Sequence, residues 1–486
     1  MSVKRLRPAI LALDPPDIDS ITPRQKTLAF FTLIVALVLE IVDMTIVNTA
    51  LPTIQRDFSG GGAQSQWIVA GYSLSFAVLL ILGGRLGDLY GYRRMFLAGV
   101  AGFTLASIAC GIAGTPGQLI AARVLQGAAG AIMAPQVLAL MQVLFDPVER
   151  IARLAWFGVI GGLAAITGPI IGGLLIAADL FGSGWRAVFL ITGPIGLAAV
   201  IAGFSFLPTG GRFGQGRLDL LGTAIFGAAL AALLYPLIRG DHLVWHWESI
   251  ASLVLSIVLA IAGWLHVRTS ARADRPVVFD PVLFDNRIFV TGLAIAICYS
   301  AANTGFLFVF AYSLQRQLGY SPFATGMIHV PFGLGVMFGM GFVGRRFLAR
   351  LGRLVLIGGS ILLMIASAWI FFWIGHGMHD LALLVPALVI GGIGMGMLSG
   401  PIPPVTVAKV DRVHAGSASG LLKTTFQLGG ALGVAVVGSA YFAFGVNGVN
   451  AASTVVELLL IASLALGTRL PTAIFPQSNA VPARAR

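Results

Sequence analysis

Charged residues are scarce in this chain. Only 10% of the 486 residues are Asp, Glu, Lys or Arg, while 57% are apolar. An ordinary soluble domain has about 25% charged residues. Apolar stretches of about 18 residues or more, the length that suggests a membrane helix, recur along the chain. The composition therefore excludes a soluble globular protein and indicates a polytopic protein in a lipid bilayer.

Cysteine clusters and nucleotide-binding signatures are also lacking. The two cysteines, Cys110 and Cys298, lie in apolar stretches and suggest neither a disulfide framework nor a metal site. The glycine-rich run at 391–396 lies inside an apolar stretch, where phosphate binding is implausible, so ATP as an energy source is not supported. The polar residues 1–26 show no signal-peptide cleavage site. We expect no cofactor, no metal and no catalytic cluster.

The apolar stretches predict an all-α membrane protein with fourteen transmembrane helices. Features of the first half recur in the second, such as the basic loops that begin at Gly84 and Gly344. This repeat predicts two six-helix bundles with two helices inserted between them, a transporter architecture. The predicted segments are an N-terminal tail (1–26), a first bundle (27–207), two inserted helices with a linker (208–287), a second bundle (288–470) and a C-terminal tail (471–486).

The basic residues predict the orientation in the membrane. If both termini are cytoplasmic, 25 of the 31 Lys and Arg residues fall on the cytoplasmic side, which is the positive-inside pattern. This asymmetry accounts for the net charge of +12 without a nucleic-acid partner. We predict a multi-pass protein of the inner or plasma membrane with both ends in the cytoplasm.

Two acids, Glu40 and Asp43, lie inside the first apolar stretch. A charge near the bilayer centre costs about 2.5–3.5 kcal/mol even on lenient scales. The two carboxyls are three residues apart on one helical face, so each raises the cost of ionising the other. Acids in such a place are suited to loading and unloading protons within the membrane.

A glycine-rich basic loop separates the second and third spans. Its glycines allow a tight turn, and its acid and arginines supply charges for a gate that can close. The loop resembles the signature of the major facilitator superfamily, in which the acid docks on a helix start in the opposite half; the counterpart here is 416–420. The gate residues are contained in Gly84-Arg85-Leu86-Gly87-Asp88-Leu89-Tyr90-Gly91-Tyr92-Arg93-Arg94.

Three further stretches narrow the resemblance. Residues 43–52 resemble the first-helix signature of fourteen-span drug/proton antiporters of the EmrB/QacA type. Residues 123–127 are similar to a fourth-helix motif associated with proton coupling. Residues 168–173 match a fifth-helix motif associated with export, although Ala164 replaces its usual leading glycine. The resemblance implies the major facilitator fold and export of compounds in exchange for protons.

The depths of Asp43 and Arg123 in the membrane agree with a pairing between them. Asp43 precedes Pro52, near the outer end, by nine residues, or roughly 13 Å, and Arg123 is roughly 9 Å deep. We predict that Asp43 carries the proton and that Arg123 sets how readily it binds. The alternative is a permanent packing role for Asp43, bonded to backbone or to Asn48. Glu40 is either a second proton carrier or cation contact, or a residue facing a water-filled vestibule.

Glycine and proline in the fifth span indicate a mechanical role. Glycines allow a partner helix to approach closely, and proline bends its own helix. We predict a rocking interface that seals the cavity, with ordinary small-residue packing as the plainer interpretation. The residues of this motif are Gly168, Pro169, Gly172 and Gly173.

Aromatic residues in the second and ninth spans are candidates for a substrate cavity. Such a lining suits lipophilic molecules, cationic ones included, but lipid-facing or interhelical packing is the alternative for each. The candidates are Trp67, Tyr72, Tyr299, Asn303, Phe306 and Phe310. The sequence leaves open the roles of His329, Lys423 and Glu457.

The sequence as a whole predicts a transporter that works by alternating access and exports small lipophilic compounds such as drugs, cationic ones included, in exchange for protons. Its expected partners are the substrate, protons and lipid, and we expect it to function as a monomer. Whether a periplasmic adaptor extends the export path stays open. The alternatives are an uptake symporter on the same fold and, from a different class, a polytopic membrane enzyme or scramblase.

Overall fold

The computed structural model describes residues 22–208, 218–239, 247–273, 275–344, 347–348, 351–411 and 414–471. Within these ranges, fourteen helices are long and apolar enough to cross a membrane, which confirms the predicted all-α membrane fold. In chain order they are α1 Pro23–Asp57, α2 Gly62–Tyr90, α3 Tyr92–Gly111, α4 Pro116–Leu144, α5 Pro147–Ala178, α6 Gly184–Phe206, α7 Leu220–Arg239, α8 Trp247–Arg272, α9 Arg287–Arg316, α10 Pro322–Phe342, α11 Arg353–Gly375, α12 Leu381–Thr406, α13 Ala415–Ala443 and α14 Gly445–Thr468.

Local sequence explains where many of these helices begin. A lipid environment offers no hydrogen bonds to the backbone, so a spanning segment must satisfy its own amides. At the start of α1, the Thr22 side chain accepts from the Gln25 amide and Gln25 bonds back to Thr22, while Pro23 occupies the first helical position. The side chains of Asn286 and Ser321 also accept hydrogen bonds from amides in the first turns of α9 and α10. Helix α1 thus begins within the segment 1–26 that is predicted as the N-terminal tail, and residues 1–21 lie outside the described ranges.

Helix α1 also runs further than the apolar stretch predicts. It continues through Pro52 to Asp57, because proline removes only one backbone donor and the following residues resume the helix. The side chains of Trp185 and Arg186, at the start of α6, both donate to the Asp57 carboxylate at 2.9 Å. These bonds hold the end of α1 against α6.

Two apolar cores organise the helices. One core is built only from the first half of the chain and includes Leu33 of α1, Phe76 of α2, Phe103 of α3 and Met133 of α4. The other is centred on the second half and continues into the ends of α1, α2 and α4 that lie near Asp57. The two halves therefore share buried apolar surface at the end of the helix array near Asp57.

The inserted helices α7 and α8 form a pair beside the two halves. Ser252 and Ser256 of α8 donate to backbone carbonyls of α7 at 2.7 and 2.8 Å. Leu234 and Ile238 of α7 pack with alanines of α2 and α13. In the most apolar segment of α8, only 17% is buried inside the protein. The pair of helices therefore presents most of its surface to the surrounding lipid.

The ends of the helices define two faces of the molecule. We call the face with the α2–α3 turn and the start of α13 the basic face, and the face with the α1–α2 loop the far face. The Gln66 side chain of α2 donates to the Val434 carbonyl of α13 at 3.2 Å. The Gln315 side chain of α9 donates to the Thr49 carbonyl of α1 at 2.9 Å. The two halves are thus bonded together at the far face, where further bonds join Gln55 to Tyr312 and Arg316, and Ser65 to Tyr312.

Candidate functional site

A buried ion pair joins α1 to α4. The Arg123 guanidinium donates to the Asp43 carboxylate at 2.6 Å, and the two residues are only 1% and 3% exposed. Gln126, one turn along α4 from Arg123, closes a triangle: its amide donates to the other Asp43 oxygen at 2.7 Å, and its carbonyl accepts from Arg123 at 2.6 Å. Both carboxylate oxygens of Asp43 are therefore engaged within the first half of the chain.

Aromatic and backbone groups complete the surroundings of Arg123. Its Nε donates to the Ile68 carbonyl of α2 at 3.2 Å. The Tyr72 ring lies 4.3 Å from the guanidinium carbon, a cation–π contact. A buried charge is tolerated when it is paired and hydrogen-bonded, and Arg123 meets both conditions. Removal of the Asp43 charge would leave the guanidinium with neutral partners only.

Gln126 was not among the residues singled out from the sequence as proton-coupling candidates. It lies within the 123–127 motif, three residues after Arg123, so the two side chains share one face of α4. That spacing could have identified Gln126 from the sequence. A side-chain amide one turn from a buried arginine can orient both the arginine and a carboxylate that pairs with it. Asn48, the alternative partner considered for Asp43, does not bond to it. The side-chain oxygen of Asn48 is buried and has no hydrogen-bond partner among the described residues.

Glu40 has a different partner from Asp43. Its carboxylate lies 3.4 Å from the Lys423 ammonium of α13, so this ion pair joins the two halves of the chain. Glu40 is 6% exposed, whereas 40% of the Lys423 side chain is exposed. The two acids on one face of α1 thus have separate cations, one in each half.

A cavity of about 430 Å³ lies between α2, α4 and α13 and opens at the basic face. Lys423 lines it, together with Arg85 and Asp88 near the α2–α3 turn. Most of the remaining wall is apolar or uncharged: Leu80, Ile81, Gly84, Tyr92, Ala134, Pro135, Gln136, Leu138, Ala139, Gln142, Val278, Gly416, Ser417, Ser419 and Gly420. Its volume is in the range of small-molecule sites.

The predicted gate loop forms a tight turn between α2 and α3. Gly91 adopts a φ of 96°, a conformation that favours glycine. The Tyr92 hydroxyl donates to the Asp88 carboxylate at 2.7 Å, and Arg93 donates to the Phe204 carbonyl of α6 at 2.6 Å. Asp88 and residues 416–420 line the same cavity, but no hydrogen bond joins them in the described part of the chain.

The predicted fifth-helix motif lies between α1 and α10. A Cβ atom at Gly168 would lie 2.0 Å from the Thr45 hydroxyl oxygen, and one at Gly172 would lie 2.6 Å from the Ile46 side chain of α1. On the other side, a Cβ atom at Gly173 would lie 2.4 Å from the Pro322 carbonyl oxygen. Reciprocally, one at Gly326 of α10 would lie 2.4 Å from the Pro169 carbonyl oxygen. Glycine therefore brings α5 into backbone contact with the other half.

None of the six predicted substrate residues lines the cavity described above. Phe306 stacks on Phe310 with ring centres 5.6 Å apart and also meets Phe332 and Phe371, so these rings pack between α9, α10 and α11. Trp67 packs toward α7, and Tyr299 meets Phe426 edge to face. Tyr72 covers Arg123. The side-chain oxygen of Asn303 is buried and has no hydrogen-bond partner among the described residues.

Two other polar side chains in the spans are bound within the helix bundle. A ring nitrogen of His329 lies 2.7 Å from the Thr325 carbonyl of its own helix, and the ring packs 4.9 Å from that of Phe310. Glu457 of α14 accepts from Ser367 of α11 at 2.7 Å. In the part of the chain that the structure describes, no group of three His, Cys, Asp or Glu side chains could hold a metal ion.

Comparison with known families decides the class of the protein. The family model of the Major Facilitator Superfamily matches residues 33–214 and 219–434, most of the chain. The chain belongs to the major facilitator superfamily. The resemblance noted in the basic loop is thereby confirmed.

Curated relatives within this superfamily are named as exporters or resistance proteins. The probable actinorhodin transporter of Streptomyces coelicolor is 36% identical over 407 residues, which are 83% of this chain and 70% of that protein. The tetracenomycin C resistance and export protein of Streptomyces glaucescens is 35% identical, over 82% and 72%. The multidrug resistance protein Stp of Mycobacterium tuberculosis is 33% identical, also over 82% and 72%.

Solved structures show the same fold at lower identity. A POT family transporter in complex with 5-aminolevulinic acid matches with a TM-score of 0.67 and 15% identity, over 93% of this chain and 97% of that one. A bacterial homologue of the human lysosomal transporter Spinster, inward-facing and unoccupied, matches with a TM-score of 0.61 and 16% identity, over 93% and 96%. The family match and the curated relatives confirm the predictions of a major facilitator efflux transporter and of a transporter rather than an enzyme.

Proposed function

We propose that this protein exports small lipophilic compounds in exchange for protons, with the basic face in the cytoplasm. The positive-inside pattern supports this orientation. The names of its curated relatives, which include antibiotic transport and resistance, support antibiotic-like substrates. The observation that carries the proton coupling is the buried triangle of Asp43, Arg123 and Gln126.

The charge balance of this triangle suggests how a proton changes the conformation. With Asp43 ionised, the Arg123 charge is compensated where water is excluded. A proton on Asp43 removes that compensation and leaves Arg123 with the neutral oxygens of Gln126 and Ile68. Because an uncompensated buried charge is costly, α4 then favours an arrangement in which Arg123 gains another partner or water. Protonation thus biases one of two arrangements of the helices.

The rest of the molecule provides the two arrangements. The structure has a bonded far face and a cavity at the basic face, which corresponds to a cytoplasm-open state in the proposed orientation. The glycine contacts between α5 and α10 allow the halves to move against each other at close range. Substrate enters from the basic face, and release at the far face requires the bonds of Gln66 and Gln315 to break. One proton moving down 100 mV supplies about 2.3 kcal/mol.

The test is substrate-triggered proton release in inverted vesicles, screened over a compound panel. The wild type should release protons from the vesicles when a substrate is added, and it should accumulate that substrate when the vesicle lumen is more acidic than the bath. Asp43→Asn should abolish both responses. Glu248→Gln, which neutralises an acid that is ion-paired with Arg239 on α7 away from the triangle, is the matched control and should transport normally.

Two outcomes would contradict the proposal. Full transport by Asp43→Asn would show that another group carries the proton. Accumulation in right-side-out vesicles instead, with protons moving in the same direction as the substrate, would indicate an uptake symporter.

A further inference from the structure

The ion pair between Glu40 and Lys423 carries information about the charge of the substrate. Lys423 lines the cavity at the basic face, and 40% of its side chain is exposed, whereas only 8% of the Glu40 side chain is exposed. A solute that enters this cavity therefore meets the ammonium group, with the carboxylate behind it. The accessible charge of the pair is positive.

The contact between the two residues is of a kind that a ligand can replace. One Glu40 oxygen lies 3.4 Å from the ammonium, longer than the usual charge-assisted hydrogen bond of about 2.7–2.9 Å. An ammonium has three donors, and the Lys423 group also lies 5.4 Å from the centre of the Phe76 ring. Capacity therefore remains on Lys423 for an acceptor in the cavity.

The side chains that line the cavity carry two positive charges and one negative charge. Arg85 provides a second cation on the wall. The acid on this wall, Asp88, lies at the α2–α3 turn, and its carboxylate already accepts from Tyr92. Between the turn and Lys423, the wall is formed by apolar residues such as Leu80, Ile81 and Leu138. The cavity thus combines an apolar chamber of about 430 Å³ with a cation at its inner end.

We infer that the transported compound has an apolar body with one acidic group that is ionised at neutral pH, such as a carboxylate, and that Lys423 binds this group. Glu40 is a positioning residue that holds the ammonium in place while the cavity is empty and competes with the substrate for it. Lipophilic cations are disfavoured because Lys423 repels them before they can reach Glu40. This inference rests on the proposed export function and specifies its substrate class.

Three probes with the same ring system test the inference. These are 2-naphthoic acid, 2-naphthamide and 2-naphthylmethylamine, which are anionic, neutral and cationic at neutral pH. Binding to the purified full-length protein in detergent is measured by tryptophan fluorescence with no proton gradient. The wild type should bind the acid at least about tenfold more tightly than the amide. The reason is that a hydrogen bond to a charged group contributes a free energy that corresponds to roughly tenfold or more in affinity. The amine should bind most weakly.

Substitutions at the pair should change this order in a defined way. Lys423→Gln should reduce the ratio of acid to amide affinity to about one, and Lys423→Arg should preserve the preference. Glu40→Gln should increase affinity for the acid because the competing carboxylate is gone. Lys409→Gln, which removes an exposed cation shortly before α13 and outside the cavity lining, should leave the ratio unchanged.

The results separate this inference from the proposed function. Tighter binding of the amine than of the acid by the wild type, or an unchanged ratio in Lys423→Gln, would overturn the inference even where proton-coupled export is observed. A preference for the acid that depends on Lys423 would support it, even where no proton release accompanies transport and the proposed function fails.

Discussion

The Asp43 carboxylate and the Arg123 guanidinium are 2.6 Å apart between α1 and α4, and both are almost wholly buried. The pair belongs entirely to the first half of the chain, whereas Glu40, one turn away, pairs with Lys423 in the second half. The two acids on one face of α1 therefore have separate cationic partners, one in each half of the chain. In our proposal the first pair responds to a proton and the second pair meets the substrate.

Breaking the buried pair should affect stability and transport differently. Arg123→Gln leaves the Asp43 charge without its partner and should lower the free energy of unfolding by about 3–5 kcal/mol. The double variant with Asp43→Asn removes both charges and should recover most of that loss, but it should not exchange protons. Thermal unfolding in detergent and proton release in vesicles measure the two effects. Recovery of transport by the double variant would contradict the coupling role of Asp43.

The close contact between α5 and α10 should tolerate no added methyl group. A Cβ atom at Gly326 would lie 2.4 Å from the Pro169 carbonyl oxygen, so Gly326→Ala forces the helices apart and should reduce transport strongly. A Cβ atom at Gly341, on the same helix, would have no neighbouring atom within 4 Å among the described residues, and Gly341→Ala should transport at the wild-type rate. Initial rates in vesicles, corrected for the amount of folded protein, provide the comparison. Equal rates for the two variants would argue against a mechanical role.

Weakening the bonded far face should favour the state that is open there. Each hydrogen bond contributes about 0.5–1.5 kcal/mol, so Gln66→Ala together with Gln315→Ala should shift the balance between the two states by about fivefold or more. A reporter cysteine introduced as Leu138→Cys, at a cavity-lining residue that is 44% exposed, should then be labelled more slowly from the basic face in a chain without Cys110 and Cys298. Thr454→Val, which removes an exposed bond within α14, is the control. Unchanged labelling in the double variant would show that these bonds do not set the balance.

Voltage should drive export if the substrate is a monoanion. One proton moving inward and one negative charge moving outward together carry two positive charges inward, so 100 mV, inside negative, supplies about 4.6 kcal/mol. Export of a monocation for one proton would instead be electroneutral. Accumulation of 2-naphthoic acid by inverted vesicles, measured with the voltage clamped at fixed pH on both sides, should therefore increase with voltage. An absence of any voltage effect would contradict a one-proton exchange for an anion.

The sequence alone determined the class and the membrane-crossing pattern of this protein. Fourteen apolar stretches, the basic loop of 84–94 and the pattern of Lys and Arg are local features, and the hydrophobic effect acts on each stretch wherever its neighbours lie. The approximate depth of Asp43 and Arg123 could also be counted along their helices, because an α-helix rises by a constant amount per residue.

Only the tertiary structure decided which side chains meet. Glu40 and Lys423 are far apart in the chain, and their contact depends on how α1 and α13 are rotated and packed. The rotation and packing of α9 likewise placed Phe306 and Phe310 among neighbouring rings rather than on the cavity described at the basic face. Hydropathy does not distinguish these outcomes, since a lipid-facing, a buried and a cavity-lining face can all be apolar, and only helix packing assigns each face to its surroundings.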